Sequence, residues 1–161
     1  DALINNASLF FPTPLRSADE EQWRRMMDTN LKAPFFLSQA AAPYLKKTRG
    51  AIINITDIYA DRPLLAHALY CASKAGLWSL TRSLAQELGP EIRVNAIAPG
   101  AILWPEHDTD ELAHQRMVSR TPLKSAGDAD DIAGTVQFLL ADAPFVTGQM
   151  IRVDGGRTAV P

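Results

Sequence analysis

With a single cysteine, Cys71, among 161 residues, the chain has no pair for an internal disulfide, and nothing in it calls for an oxidising compartment. An excess of charge of either sign is missing too. Sixteen Lys and Arg against eighteen Asp and Glu leave a formal net charge of −2, which gives no field for holding a nucleic acid or an anionic membrane surface. No run is apolar and long enough to span a bilayer. The expectation is therefore a cytoplasmic protein with neither a nucleic-acid nor a membrane partner. A starting methionine and a basic leader are also lacking: the chain opens Asp1-Ala2-Leu3-Ile4-Asn5, which reads as a strand entered in mid-structure, so a preceding segment is expected.

What is there is an ordinary globular composition, 47% hydrophobic and 21% charged, enough for one domain over residues 1–161 with a real core. Short, nearly all-apolar runs predict strands over 2–4, 51–56, 92–98 and 149–153. Between them the pattern predicts helices. The first spans 17–47 and opens on a Ser17/Glu20 capping box. The second spans 67–88 and stops at Gly89-Pro90, and the third spans 128–141 with Asp128 as N-cap and Asp130 and Asp131 in its first turn. Apolar strands alternating with helices indicate an α/β fold with a doubly wound parallel sheet covered on both faces. Residues 101–127 stand apart, rich in Pro, Asp and His, with a weak helix near 110–119, and read as a substrate lid.

In an open parallel sheet, ligands bind outside the carboxyl ends of the strands. The residues expected there are Asn5-Asn6-Ala7-Ser8 after the first strand, Asp57 after the second and Pro99-Gly100 after the third. Tyr70 and Lys74 lie four apart at the start of the second long helix and so share a face. An ammonium near a phenol is expected to lower the phenol's pKa and ready Tyr70 for proton transfer. Competing readings stand beside these. Phe10 and Phe11 suit a core, Asp57 suits a helix cap or an ion pair with Arg62, and Cys71 suits a small packing residue. His107, Asp108, Asp110, Glu111 and His114 include metal-ligating types, but their spacing fits no standard site, and no metal is expected.

Taken in order, Asn5-Asn6-Ala7-Ser8, Asn30, Tyr70-x-x-x-Lys74, Pro99-Gly100 and Thr147-Gly148 through Val153-Asp154-Gly155-Gly156 resemble the motifs of short-chain dehydrogenases/reductases across nearly the whole chain. The resemblance implies a Rossmann-type sheet, here without its N-terminal strands and without the Gly-rich phosphate turn. It implies Tyr70 as proton donor and Lys74 as holder of the nicotinamide ribose. Asn30 would support a proton-relay water near Lys74. Asn6, Ala7 and Ser8 would line the cofactor edge, with Tyr70 and Lys74 contacting the cofactor and the backbone at Pro99 and Gly100 cradling the nicotinamide.

Thirteen residues before the tyrosine, where most of that family has serine, this chain has Asp57. A carboxylate repels a developing alkoxide but suits a ring nitrogen that must gain a proton as hydride reaches carbon. Asn6-Ala7-Ser8-Leu9-Phe10, Asp61-Arg62-Pro63-Leu64 and Pro99-Gly100-Ala101-Ile102-Leu103-Trp104-Pro105-Glu106 are similar to segments of bacterial pteridine reductases. That resemblance implies NADPH as cofactor, a dihydropterin or dihydrofolate as substrate, Phe10, Ser8, Asp57 and Tyr70 as the substrate-contacting residues, and a homotetramer. Two other readings are a carbonyl reductase of the 3-oxoacyl or ketone type, and a non-catalytic remnant or assembly partner.

Overall fold

The computed structural model describes residues 1–102 and 111–160, apart from the side chains of Glu111 and Ala113. Four strands, β1 (Ala2–Asn5), β2 (Ala51–Ile55), β3 (Arg93–Pro99) and β4 (Met150–Val153), form one sheet in sequence order, with every neighbouring pair parallel. All four predicted strands are present, with bounds shifted by a residue or so. The helices are α1 (Glu20–Met27), α2 (Ala33–Thr48), α3 (Ala68–Leu88), α4 (Glu111–Ser119) and α5 (Ala129–Ala141).

The two-residue period of the strands sorts the core. Ile52 and Val94 point to one face, where they pack with Leu45 of α2 and Leu84 and Ala85 of α3. Ile53, Ile55 and Ile97 point to the other, against Leu139 of α5. β2 is buried along its whole length, as a strand covered on both faces must be. Within this core Asn54 accepts from Asn5 at 2.8 Å and donates to Thr81 of α3 at 2.9 Å, while Oδ1 of Asn5 is buried without a partner. The doubly wound α/β arrangement is the one expected.

The helix predicted over 17–47 differs in detail. It starts at Glu20, capped by Asp19, whose carboxylate accepts from the Gln22 amide at 2.8 Å while the Gln22 side chain accepts from the Asp19 amide at 3.2 Å. Ser17 instead closes a turn onto Pro14, its amide 3.0 Å from that carbonyl, so the capping box lies two residues later than the sequence suggested. The helix is also divided by a wider π-helical turn at Asp28–Lys32. α3 and α5 match their predicted ends, and Asp128 caps α5 as expected.

The carboxyl ends of all four strands lie along one edge of the sheet, since the sheet is parallel throughout. Two loops on that edge are tied together. The Thr13 amide donates to the Ala66 carbonyl at 2.6 Å, and Thr13 pairs with His67 in a short parallel bridge. The loop after β1 is thereby fixed against the start of α3. Of the expected lid, residues 103–110 lie outside the described residues, and with them the segment Leu103-Trp104-Pro105-Glu106 and the cluster members His107, Asp108 and Asp110. Among the described residues, no helix is long and apolar enough to cross a membrane.

Candidate active site

Asp57 lies two residues past the end of β2 and Tyr70 lies in the first turn of α3, so strand and helix bring together residues thirteen apart in sequence. The Tyr70 hydroxyl donates to Oδ2 of Asp57 at 2.6 Å. The other carboxylate oxygen, Oδ1, accepts from the Tyr59 amide at 2.8 Å and caps the short 3-10 turn Ile58–Ala60. Asp57 thus both caps a turn and faces the tyrosine. The expected alternative of pairing with Arg62 does not occur, since Arg62 donates to the Val160 carbonyl.

Lys74, one helical turn after Tyr70 and only 2% exposed, donates to the Ile55 carbonyl at the end of β2 at 2.9 Å. Its Nζ lies 5.7 Å from the centre of the Tyr70 ring. Burial pushes the Lys74 ammonium down to about 8, with the Asp57 charge opposing. Burial also lifts the Asp57 carboxyl above the usual carboxylate range, opposed by the Tyr70 and Tyr59 hydrogen bonds and the Lys74 charge. Tyr70 departs from expectation. Its phenol is pushed up, first by burial and then by the adjacent Asp57 carboxylate that accepts its proton in a hydrogen bond. The ammonium loses this contest because the carboxylate is in direct contact with the hydroxyl and the ammonium is not. Tyr70 is therefore held protonated, the state of a proton donor.

Asn30, in the π-helical turn and 1% exposed, clamps the segment after β1. Its Oδ1 accepts from the Leu9 amide at 2.8 Å and its Nδ2 donates to the Leu9 carbonyl at 2.9 Å and to Ser73 Oγ at 3.1 Å. Ser8 Oγ also donates to Asn30 Oδ1, at 3.3 Å. The side chain thus reaches Ser73, the neighbour of Lys74, and not Lys74 itself. A π-turn inside a helix often marks a functional position, and here it carries Asn30.

The adjacent phenylalanines divide their tasks. Phe11 packs toward the buried cluster of Met26, Tyr70 and Cys71, as the core reading expected. Phe10 turns outward, 43% exposed. Its ring meets Tyr70 edge-on at 4.8 Å and stacks on His67 at 4.8 Å with 12° between planes. Cys71 is buried, and its sulfur accepts from the Leu64 amide at 3.3 Å; it packs as the small residue expected. Asn6, Ala7 and Ser8 are exposed at the end of β1. Pro99 ends β3, and the Gly100 amide donates to the Val153 carbonyl at 2.9 Å. A side chain at Gly100 would put its Cβ 2.7 Å from Cα and Cβ of Asp154, so the close approach of the two strand ends requires glycine there. Asp154 fixes the turn after β4, accepting from the Gly156 and Thr158 amides at 2.9 and 2.8 Å.

Sequence reasoning missed His67, Ser73 and Tyr59. His67 appeared in the sequence only as a helix start, and no local pattern reports that a loop residue fifty-seven positions earlier will lie on its ring.

The donor set suits a nicotinamide nucleotide. The Lys74 ammonium spends one of its three donors on Ile55, which leaves two for the hydroxyls of a sugar. Such a nucleotide would be held by Tyr70, Lys74, the 6–8 edge and the Pro99-Gly100 backbone.

Known proteins resemble the chain in sequence and in fold. The family model described as enoyl-(acyl carrier protein) reductase matches residues 1–158. The chain is 42% identical over 161 residues to the 3-oxoacyl-[acyl-carrier-protein] reductase FabG of Staphylococcus aureus (strain Mu50), covering 97% of this chain and 65% of the relative. It thus spans just under two thirds of that relative's length. A gluconate 5-dehydrogenase from Burkholderia cenocepacia J2315, solved with NADP and tartrate, superposes with a TM-score of 0.94 at 30% identity, covering 100% of this chain and 66% of that one. A 4-hydroxyisoleucine dehydrogenase solved with NADH gives a TM-score of 0.90 at 34% identity, over 100% and 70% of the two chains.

Proposed function

The chain belongs to the short-chain dehydrogenase/reductase family, and from that premise we propose that it serves a nicotinamide-dependent reductase whose substrate is a flat nitrogen heterocycle of the dihydropterin or dihydrofolate class. The carrying observation is the 2.6 Å hydrogen bond from Tyr70 to a buried carboxyl at residue 57. The nicotinamide, when bound, supplies the hydride. Everything else is the work of side chains. Tyr70, held protonated, delivers a proton to the atom that becomes basic as hydride arrives. Asp57, as the ionised carboxylate, orients that hydroxyl and accepts a hydrogen bond from a ring N–H. Lys74 holds the ribose and offsets the negative charge at Asp57. Phe10 offers a ring face for stacking, and Asn30 holds Phe10's backbone through Leu9.

A second reading, reduction of a carbonyl of the 3-oxoacyl or ketone type, is favoured by the relatives, whose names describe oxoacyl, hydroxy-acid and sugar-acid enzymes. The comparisons speak for it more directly than for pterins. Against it stands the physics of residue 57, since an ionised carboxyl opposes the alkoxide that a ketone becomes. NADPH is the proposed cofactor, although the named structures hold NADP in one case and NADH in another. A cytoplasmic homotetramer is the proposed setting. Phe36, Leu37 and Tyr44, which α2 leaves exposed, support helix-to-helix association.

The test is a substrate panel: oxidation of NADPH and of NADH followed with dihydrobiopterin, dihydrofolate and a simple β-ketoester. Turnover of the dihydropterin or dihydrofolate supports the heterocycle. Turnover of the ketoester alone moves the assignment to the carbonyl reductase. No turnover by folded, nucleotide-binding protein makes the non-catalytic role the leading one.

A further inference from the structure

Phe10 lies on a loop and is 43% exposed, yet its ring is not free to swing. One face lies on the imidazole of His67, with centroids 4.8 Å apart and planes 12° from parallel, and its ring meets that of Tyr70 edge-on. Even with His67 stacked on it, Phe10 keeps 43% of its surface exposed.

His67 is itself fixed in several ways. Its Nδ1 lies 2.9 Å from the Leu65 carbonyl, its amide donates to the Leu64 carbonyl at 3.2 Å, and it stands at the N-cap of α3. The residue before it, Ala66, has φ of 60°, a left-handed conformation that a non-glycine residue adopts at some cost. That turn accompanies the bridge from Thr13 to residues 66 and 67, which joins the Phe10 loop to the His67 turn. Strain of this kind persists where surrounding contacts over-determine it, and here they converge on the ring pair.

We propose that His67 is a positioning residue that sets substrate shape preference: it locks the Phe10 ring parallel to itself, so that the exposed part of that ring is a preformed stacking surface beside Tyr70 for a flat, conjugated substrate. Asn30 fixes the backbone of this loop at Leu9 and His67 fixes the ring at Phe10. The proposal rests on the reading that Phe10 faces the substrate. It does not depend on whether the reducible bond is C=N or C=O.

The experiment compares His67→Ala, His67→Asn and His67→Phe by steady-state kinetics on two substrates, one flat and one alkyl. Dihydrobiopterin and an alkyl β-ketoester serve where the wild type reduces the heterocycle. An aryl and an alkyl ketone serve where it reduces only carbonyls, so that failure of the heterocycle assignment and failure of this proposal are read separately. Asparagine retains a group able to hydrogen-bond near Leu65 without a ring, and phenylalanine retains a ring without that group. The expected result is a rise in KM for the flat substrate of roughly two- to tenfold in the alanine and asparagine variants, with kcat nearly unchanged, the alkyl KM unmoved, and recovery in the phenylalanine variant. Equal effects on flat and alkyl substrates, a defect in the phenylalanine variant as large as in the alanine one, or an unchanged flat-substrate KM in all three would overturn it.

Discussion

The Tyr70 hydroxyl and the Asp57 carboxylate lie 2.6 Å apart at the end of β2 and the start of α3, with the phenol donating. Each raises the cost of ionising the tyrosine, since the carboxylate repels a phenolate and burial disfavours any charge. The proton of the pair therefore stays on the tyrosine, where the end of β2 meets the start of α3.

Tyr70→Phe removes the donor while keeping the ring that packs with Met26 and Cys71. Turnover is expected to fall by about 10²- to 10⁴-fold with the melting temperature little changed, and kcat measured alongside a thermal melt checks both. A variant that keeps more than a tenth of wild-type kcat would remove the tyrosine from the chemistry.

Lys74 gives a pH-dependent stability signature. Its folded pKa, about 8, lies below the ordinary 10.5, so between those values the unfolded chain holds a proton that the folded chain has released. Stability relative to Lys74→Met is therefore expected to rise with pH across that window, by up to about 3 kcal/mol. Urea midpoints of both proteins at pH 7.5 and pH 10 measure it. A wild-type midpoint that falls relative to that of Lys74→Met as pH rises would contradict the burial of the ammonium.

Asn30→Ala deletes the bonds to both backbone groups of Leu9 and to Ser73. A loss of about 1–3 kcal/mol is expected from leaving buried partners unmatched, along with a higher KM for a flat substrate because Phe10 follows Leu9. Denaturant titration and KM together separate the effects.

Two glycines are predicted to respond in opposite ways. Gly100→Ala drives a Cβ to 2.7 Å from Asp154 backbone and side chain and is expected to cost about 1–3 kcal/mol. Gly134→Ala in α5 meets nothing within 4 Å and is expected to add about 0.5–1 kcal/mol through helix propensity. Thermal melts of the two variants provide the comparison.

The sheet is readable from sequence because its strands, such as Ala51-Ile52-Ile53-Asn54-Ile55, are nearly all-apolar runs between strong stop signals, and α5 because Asp128, Asp130 and Asp131 mark its start. The capping box was misplaced because Ser17 and Asp19 both suit an N-cap, and only the turn back to Pro14 decides between them. Asp57, Tyr70, Lys74 and Asn30 stand out in the sequence through the family resemblance, and Tyr70 and Lys74 also through their spacing of four. Their electrostatics do not, because the expected effect of Lys74 on Tyr70 depends on which group touches the hydroxyl. That distance, like the Phe10–His67 stack, is a property of packing between segments and leaves no trace in local pattern.

The most direct measurement of the central claim is turnover of dihydrobiopterin and a β-ketoester by wild type and Asp57→Ser, with nicotinamide oxidation as readout. The account predicts pterin turnover in the wild type that drops by about a hundredfold or more in the variant, with ketoester turnover unchanged or improved. Pterin turnover that survives the substitution, or a wild type that reduces only the ketoester, would contradict the role given to Asp57.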